Sequence, residues 1–196
     1  MQYINIISIT IIFSFTQIYS NQFYNDSWAL IIGINDYDKV SKLQYAVADA
    51  ELIREILVED FDFSSSNISI IKNQHATKQN ILKEFSKITK SAEENDRVII
   101  FFAGHGDTYD LPGGGEMGYL IPVDGNLDDL YFSSIGMAEL KSLALMSKAK
   151  HVLYLIDACY GGLAAVGSRG LNPDNTNNYI NKTINHVEKY KFFKDN

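Results

Sequence analysis

Apolar residues along this chain fall into two kinds of run: short unbroken blocks, and longer stretches where they recur at three- and four-residue spacing. The blocks at 28–33 (W-A-L-I-I-G), 68–71, 97–103 (R-V-I-I-F-F-A) and 151–157 (H-V-L-Y-L-I-D) predict strands. The third is apolar enough to be covered on both faces. Helical spacing places Ala46, Ala50, Ile53 and Leu57 on one face of a segment at 46–58. A second helix, N-capped by Thr77, carries Ile81, Phe85, Ile88 and Ala92, and a third covers 137–149. Residues 120–123 add a small extended piece. Strands alternating with helices predict an α/β sandwich with a mostly parallel sheet. In such sheets ligands gather beyond the carboxyl ends of the strands. That rule directs attention to Gly104-His105-Gly106 after the third strand and to Cys159-Tyr160-Gly161-Gly162 after the fourth.

The ends of the chain break this pattern. Residues 4–18 are Ile/Phe-rich and uncharged, and Ser20 supplies a small residue for cleavage, so 1–20 reads as a signal peptide or membrane anchor. The expected location is therefore secreted or membrane-anchored, and cytoplasmic if that segment is not a signal. The organised region is 27–170, and 171–196 is a polar, Asn-rich tail or the truncated start of a further unit.

Composition narrows the chemistry. A chain of 196 residues, 46% hydrophobic, buries one substantial core. A net charge of −7 with no Lys/Arg cluster argues against nucleic acid as a partner. The single cysteine rules out an intramolecular disulfide and a Cys-rich metal centre. His75, His105, His151 and His186 show no H-x-x-x-H pairing, so no metal site is expected.

Cys159 leaves an apolar strand through glycines that admit a substrate backbone. A thiol becomes a strong nucleophile when a cationic or hydrogen-bonding neighbour favours the thiolate. His105, between two glycines, is the histidine placed to do this. Each residue alone has an ordinary explanation: cysteine as a small buried hydrophobe, histidine as a bystander in a turn. At equivalent ends of two strands, the pair reads as a nucleophile and its acid/base partner.

F-F-A-G-H-G at 101–106 and D-A-C-Y-G-G at 157–162 resemble the two catalytic signatures of the caspase/metacaspase superfamily. The runs W-A-L-I-I-G-I-N at 28–35, L-Q-Y-A-V-A-D-A at 43–50 and G-Y-L-I-P-V-D at 118–124 are similar to further segments of that family. The His-to-Cys spacing also agrees with the roughly 50 residues noted for caspases. The resemblance implies a caspase-like three-layer sandwich and peptide-bond hydrolysis through an acyl-enzyme. In it Cys159 attacks, His105 protonates the leaving amine, and the backbone N–H groups of Gly106 and Cys159 hold the oxyanion. Caspases carry glutamine two residues before the cysteine and arginines that bind substrate aspartate. This chain has Asp157 there, and Asp49 at the other expected pocket position. Metacaspases use such aspartates in an acidic pocket, so the resemblance implies two buried carboxylates and cleavage after Arg or Lys. The ordinary roles are a first-turn helix acid for Asp49 and a strand-end acid for Asp157.

The resemblance also implies strands of a small subunit, and these are missing from the pattern after Gly170. The fourth strand is then expected to present an unpaired edge. Three explanations stand open: a truncated product, a small subunit supplied in trans, or a caspase-like interaction module that binds without cleaving. Arg169, in G-S-R-G, is where self-processing is expected. No cofactor is expected, apart from calcium by family resemblance. Asp124, Asp128 and Asp129 lack an EF-hand pattern. A flavodoxin-like binding domain shares the α/β alternation but leaves both glycine-flanked turns unexplained.

Overall fold

The computed structural model describes residues 23–160; the expected leader at 1–20, the tail at 171–196 and Arg169 lie outside them. The chain runs β1 (Ser27–Gly33), α1 (Ala46–Glu59), β2 (Ile68–Lys72), α2 (Lys78–Ser91), β3 (Arg97–Asp110), β4 (Glu116–Leu120), α3 (Leu130–Ser133), β5 (Ile135–Gly136), α4 (Met137–Met146) and β6 (His151–Tyr160). Strands β2, β1, β3 and β6 pair in parallel, as the alternation of strands and helices requires. Strands β4 and β5 extend the sheet antiparallel.

β3 organises the sheet. Ala103 is in register with both Gly33 of β1 and Asp157 of β6, so those strands lie on opposite edges of β3. Gly106 pairs with both Leu120 of β4 and Tyr160 of β6, so β4 takes over the edge that β1 has left. Among the described residues, β6 is paired with β3 alone.

Side-chain alternation sorts the core into two layers. Ala29, Ile31, Phe101 and Ala103 face Ala46, Ala50 and Leu57 of α1. Leu30, Ile32, Ile100 and Phe102 face the opposite way, toward Ile81, Phe85 and Ile88 of α2 and Leu140 and Ala144 of α4. Helices thus cover both faces, giving three layers. α1 lies close to the end of β1 because position 33 is glycine: a Cβ there would stand 2.5 Å from the Ala46 carbonyl oxygen and 2.7 Å from the Ala50 Cβ. Thr77 caps α2 as predicted, its side chain accepting from the Asn80 N–H at 3.2 Å.

Three expectations change. The glycines around His105 do not form a turn, because β3 runs on to Asp110. The reason is β4, which folds back and pairs with residues 106–110. The reversal falls at Gly114 and Gly115, whose φ values of +88° and +93° suit glycine. The extended piece foreseen at 120–123 is this hairpin strand, displaced to Glu116–Leu120. β6 likewise runs through Asp157 to Tyr160, so Cys159 lies within a strand.

Candidate active site

His105 sits on β3 two residues beyond Ala103, which faces α1, so strand alternation puts its side chain on the α1 face. The loop between β1 and α1 meets it there. The imidazole Nε2 lies 2.8 Å from the Ser41 carbonyl oxygen and 3.4 Å from the Ser41 hydroxyl. A carbonyl only accepts, so Nε2 carries a hydrogen, and in the neutral ring the lone pair is then on Nδ1. The His105 backbone is held equally closely. Its N–H donates to the Tyr37 hydroxyl at 2.7 Å, and its carbonyl accepts from the Ile121 N–H at 2.9 Å. The Tyr37 ring packs against the imidazole, centroids 4.9 Å apart at 47°.

Cys159 is the residue of β6 directly in register with His105. Adjacent strands lie about 4.8 Å apart, so the parallel ladder alone brings the two main chains side by side. Both residues stand at the carboxyl end of the parallel part of the sheet, the edge to which the sequence pointed, although β3 itself continues to Asp110.

The other predicted residues divide. Asp157, two positions before Cys159, is in register with Ala103 and so shares the α1 face with His105. Asp49 lies in the first turn of α1, on that same side of the sheet. The two aspartates therefore border one face, but they are not the buried pair expected: Asp157 is exposed and Asp49 half-buried. α1 packs over β1, β2 and β3, and on the neighbouring face of β6 both Leu155 and Asp157 are exposed to water. Gly106 is buried inside the sheet. Because the His105 N–H and C=O face the β1 and β4 edge, those of Gly106 face β6.

The Asp124 carboxylate accepts from the Lys78 N–H at 3.0 Å and that of Asp129 from the Phe132 N–H at 3.3 Å. These are capping roles, and among the described residues no three His, Cys, Asp or Glu side chains gather as a metal site would require.

Sequence reasoning missed Tyr37 and Ser41. Tyr37 lies just past the first strand, outside any periodic segment. Ser41 acts through a backbone carbonyl, a group every residue carries.

Similarities to known proteins agree with this geometry. The caspase domain family model matches residues 26–191. Metacaspase-1 of Eremothecium gossypii is 31% identical over 150 residues, covering 69% of this chain and 32% of that protein. Metacaspase-1B of Neurospora crassa is 29% identical over 150 residues, covering 69% and 34%. The chain thus spans about a third of the length of these relatives. The crystal structure of protein GSU0716 from Geobacter sulfurreducens shares the fold, with a TM-score of 0.58 at 19% identity over 87% of this chain and 67% of the other.

Proposed function

This chain belongs to the caspase domain family of cysteine peptidases, and on that premise we propose that it hydrolyses peptide bonds after Arg or Lys through Cys159 and His105. The supporting observation is the state of the imidazole. Ser41 claims Nε2, which leaves Nδ1 as a base on the strand beside Cys159.

In this reading the Cys159 thiol gives its proton to Nδ1, and the thiolate attacks the scissile carbonyl carbon. The carbonyl π electrons move to oxygen as the C–S bond forms. When the tetrahedral adduct collapses, the C–N bond breaks and the His105 imidazolium protonates the departing amine. Water then gives a proton to the neutral imidazole and attacks the thioester. Release of the carboxylic acid restores the thiol. The Ser41 carbonyl keeps the ring in one tautomer and stabilises the cationic state it passes through twice.

The N–H groups of Cys159 and Gly106 are the proposed oxyanion donors. The Gly106 N–H faces β6 and lies within the ladder there, opposite Tyr160, so this role requires that pairing to part and give way to the substrate oxygen. Asp49 and Asp157, bordering the face that carries His105, supply negative charge for a basic P1 side chain. The substrate is accordingly a peptide or protein with Arg or Lys before the cleaved bond.

A fluorogenic peptide series varied only at P1, together with an Arg-directed covalent inhibitor, tests this. Turnover of Arg and Lys peptides is expected, with labelling at Cys159 that disappears in His105→Ala. Equal turnover of Asp peptides would remove the specificity. Absence of both turnover and labelling would leave a caspase-fold interaction module.

A further inference from the structure

We propose that Tyr37 is a positioning residue for His105, with its buried hydroxyl standing in for a missing strand at the one point where the edge of β3 changes partners. The inference rests on the reading of His105 as the base for Cys159.

The argument starts from the ladder. Along one edge of β3, β1 pairs as far as Gly33 opposite Ala103, and Ile34 extends this by donating its N–H to the Ala103 carbonyl at 3.1 Å. Pairing resumes with β4 at Gly106 opposite Leu120, where Ile121 donates to the His105 carbonyl. The His105 N–H falls between these two runs. A backbone donor buried at such a gap requires an acceptor, and the Tyr37 hydroxyl supplies one at 2.7 Å. Tyr37 is 7% exposed, and burial pushes its phenol up from the ordinary value, so it works as a neutral hydroxyl.

A second observation converges on the same contact. A Cβ at Gly104 would stand 2.5 Å from the Tyr37 hydroxyl oxygen and 3.0 Å from two ring carbons of Phe102. The residue before the histidine is thus glycine where the phenol approaches. The Tyr37 ring also lies against the imidazole, so one side chain fixes both the backbone and the ring of His105. Ser41 fixes the remaining nitrogen. Catalytic groups lose rate steeply when displaced by a fraction of an ångström to an ångström. A hydroxyl that anchors the His105 backbone therefore governs how well Nδ1 meets the thiol without touching substrate.

The chain has one cysteine, so alkylation of the full-length protein by iodoacetamide reads Cys159 alone. The rate is measured against pH for the parent protein and for Tyr37→Phe, Gly104→Ala, their double variant, His105→Ala and, as a remote control, Thr77→Ala. Tyr37→Phe is expected to slow alkylation at neutral pH roughly tenfold and shift its pH midpoint upward. On an Arg peptide, kcat should fall by a similar factor with KM within about twofold. Gly104→Ala, which keeps the phenol but displaces it, should do the same, and it carries the test if Tyr37→Phe does not fold. The double variant should lose less than the product of the two single losses, because phenylalanine removes the 2.5 Å contact and leaves only the 3.0 Å approach to Phe102.

The proposal is overturned if His105→Ala changes the alkylation profile while Tyr37→Phe leaves it on the parent curve. It is equally overturned if Thr77→Ala slows the thiol as much as Tyr37→Phe, or if the two single losses multiply. An unchanged profile in His105→Ala would instead overturn the dyad itself, and this inference with it.

Discussion

The two ends of the sheet meet the same problem and answer it differently. At the amino end, Asp96 is 3% exposed and its carboxylate accepts three hydrogen bonds. One oxygen accepts from the Asp26 N–H at 2.9 Å, the other from the Trp28 indole N–H at 3.1 Å and the Glu93 N–H at 2.8 Å. Its own carbonyl accepts from the Lys150 N–H at 2.9 Å. One residue thus ties together the starts of β1, β3 and β6. At the carboxyl end, the His105 N–H and one imidazole nitrogen are met by a neutral hydroxyl and a loop carbonyl, and among the described residues the other ring nitrogen has no hydrogen bond. The amino end binds both oxygens of its acid to N–H donors, which holds structure. The carboxyl end withholds one acceptor. Among the described residues, then, the more buried acid holds structure, and the half-buried imidazole is the group still open to chemistry.

Four experiments press on that contrast. The largest effect belongs to the carboxyl end: His105→Ala or Cys159→Ala should lower kcat/KM on an Arg peptide by at least about 10³-fold, roughly 4 kcal/mol of barrier, while urea midpoints stay near the parent value. A large loss of stability in either variant would blur the division between the ends. Next, Asp96→Ala should cost about 3 kcal/mol in urea unfolding, because it strands several N–H donors, and Asp96→Asn about half of that. The folded fraction should keep its kcat; a loss there would couple the two ends.

Alkaline pH gives a third test. Burial raises the phenols of Tyr37 and Tyr154, and Tyr154 donates to the Leu140 carbonyl at 2.7 Å. Folded chains therefore hold protons that unfolded chains release above about pH 10. Stability is complete below that value and declines as pH rises toward the raised folded values, by up to about 1.4 kcal/mol per pH unit for each group. Tyr154→Phe should show a shallower decline in unfolding free energy above pH 10 than the parent; parallel curves would contradict it. The smallest effect is expected at Thr77→Ala, about 1 kcal/mol in thermal unfolding from the lost cap, with kinetics untouched.

Much of the sheet was legible because burial on both faces leaves an unbroken apolar run, as at Ile99 to Ala103, while α1 and α2 announce themselves by spacing. The β3–β4 hairpin was not. Thr108, Tyr109 and Asp110 are polar or exposed, and G-H-G reads locally as a turn, so only the returning strand reveals that β3 continues. The site followed the same rule. His105 and Cys159 stood out because their residue types are reactive and they close apolar runs. Tyr37 and Ser41 did not, since a phenol past a strand and a main-chain carbonyl carry no pattern. Asp96 had the appearance of an ordinary surface acid before β3, and only the fold brings Asp26, Trp28 and Glu93 around it.

The handover along β3 also gives the molecule a built-in gauge. Amides of residues 98–103 sit in a strand flanked on both edges, so they exchange with deuterated solvent only when the whole sheet opens. The His105 amide lies in the same strand but is held by a side chain, Tyr37. Its hydrogen is released whenever the phenol swings aside, without any strand parting. The ratio of its exchange rate to those of its neighbours thus measures, residue against residue in one spectrum, how often the loop that carries Tyr37 lets go while the fold stays shut.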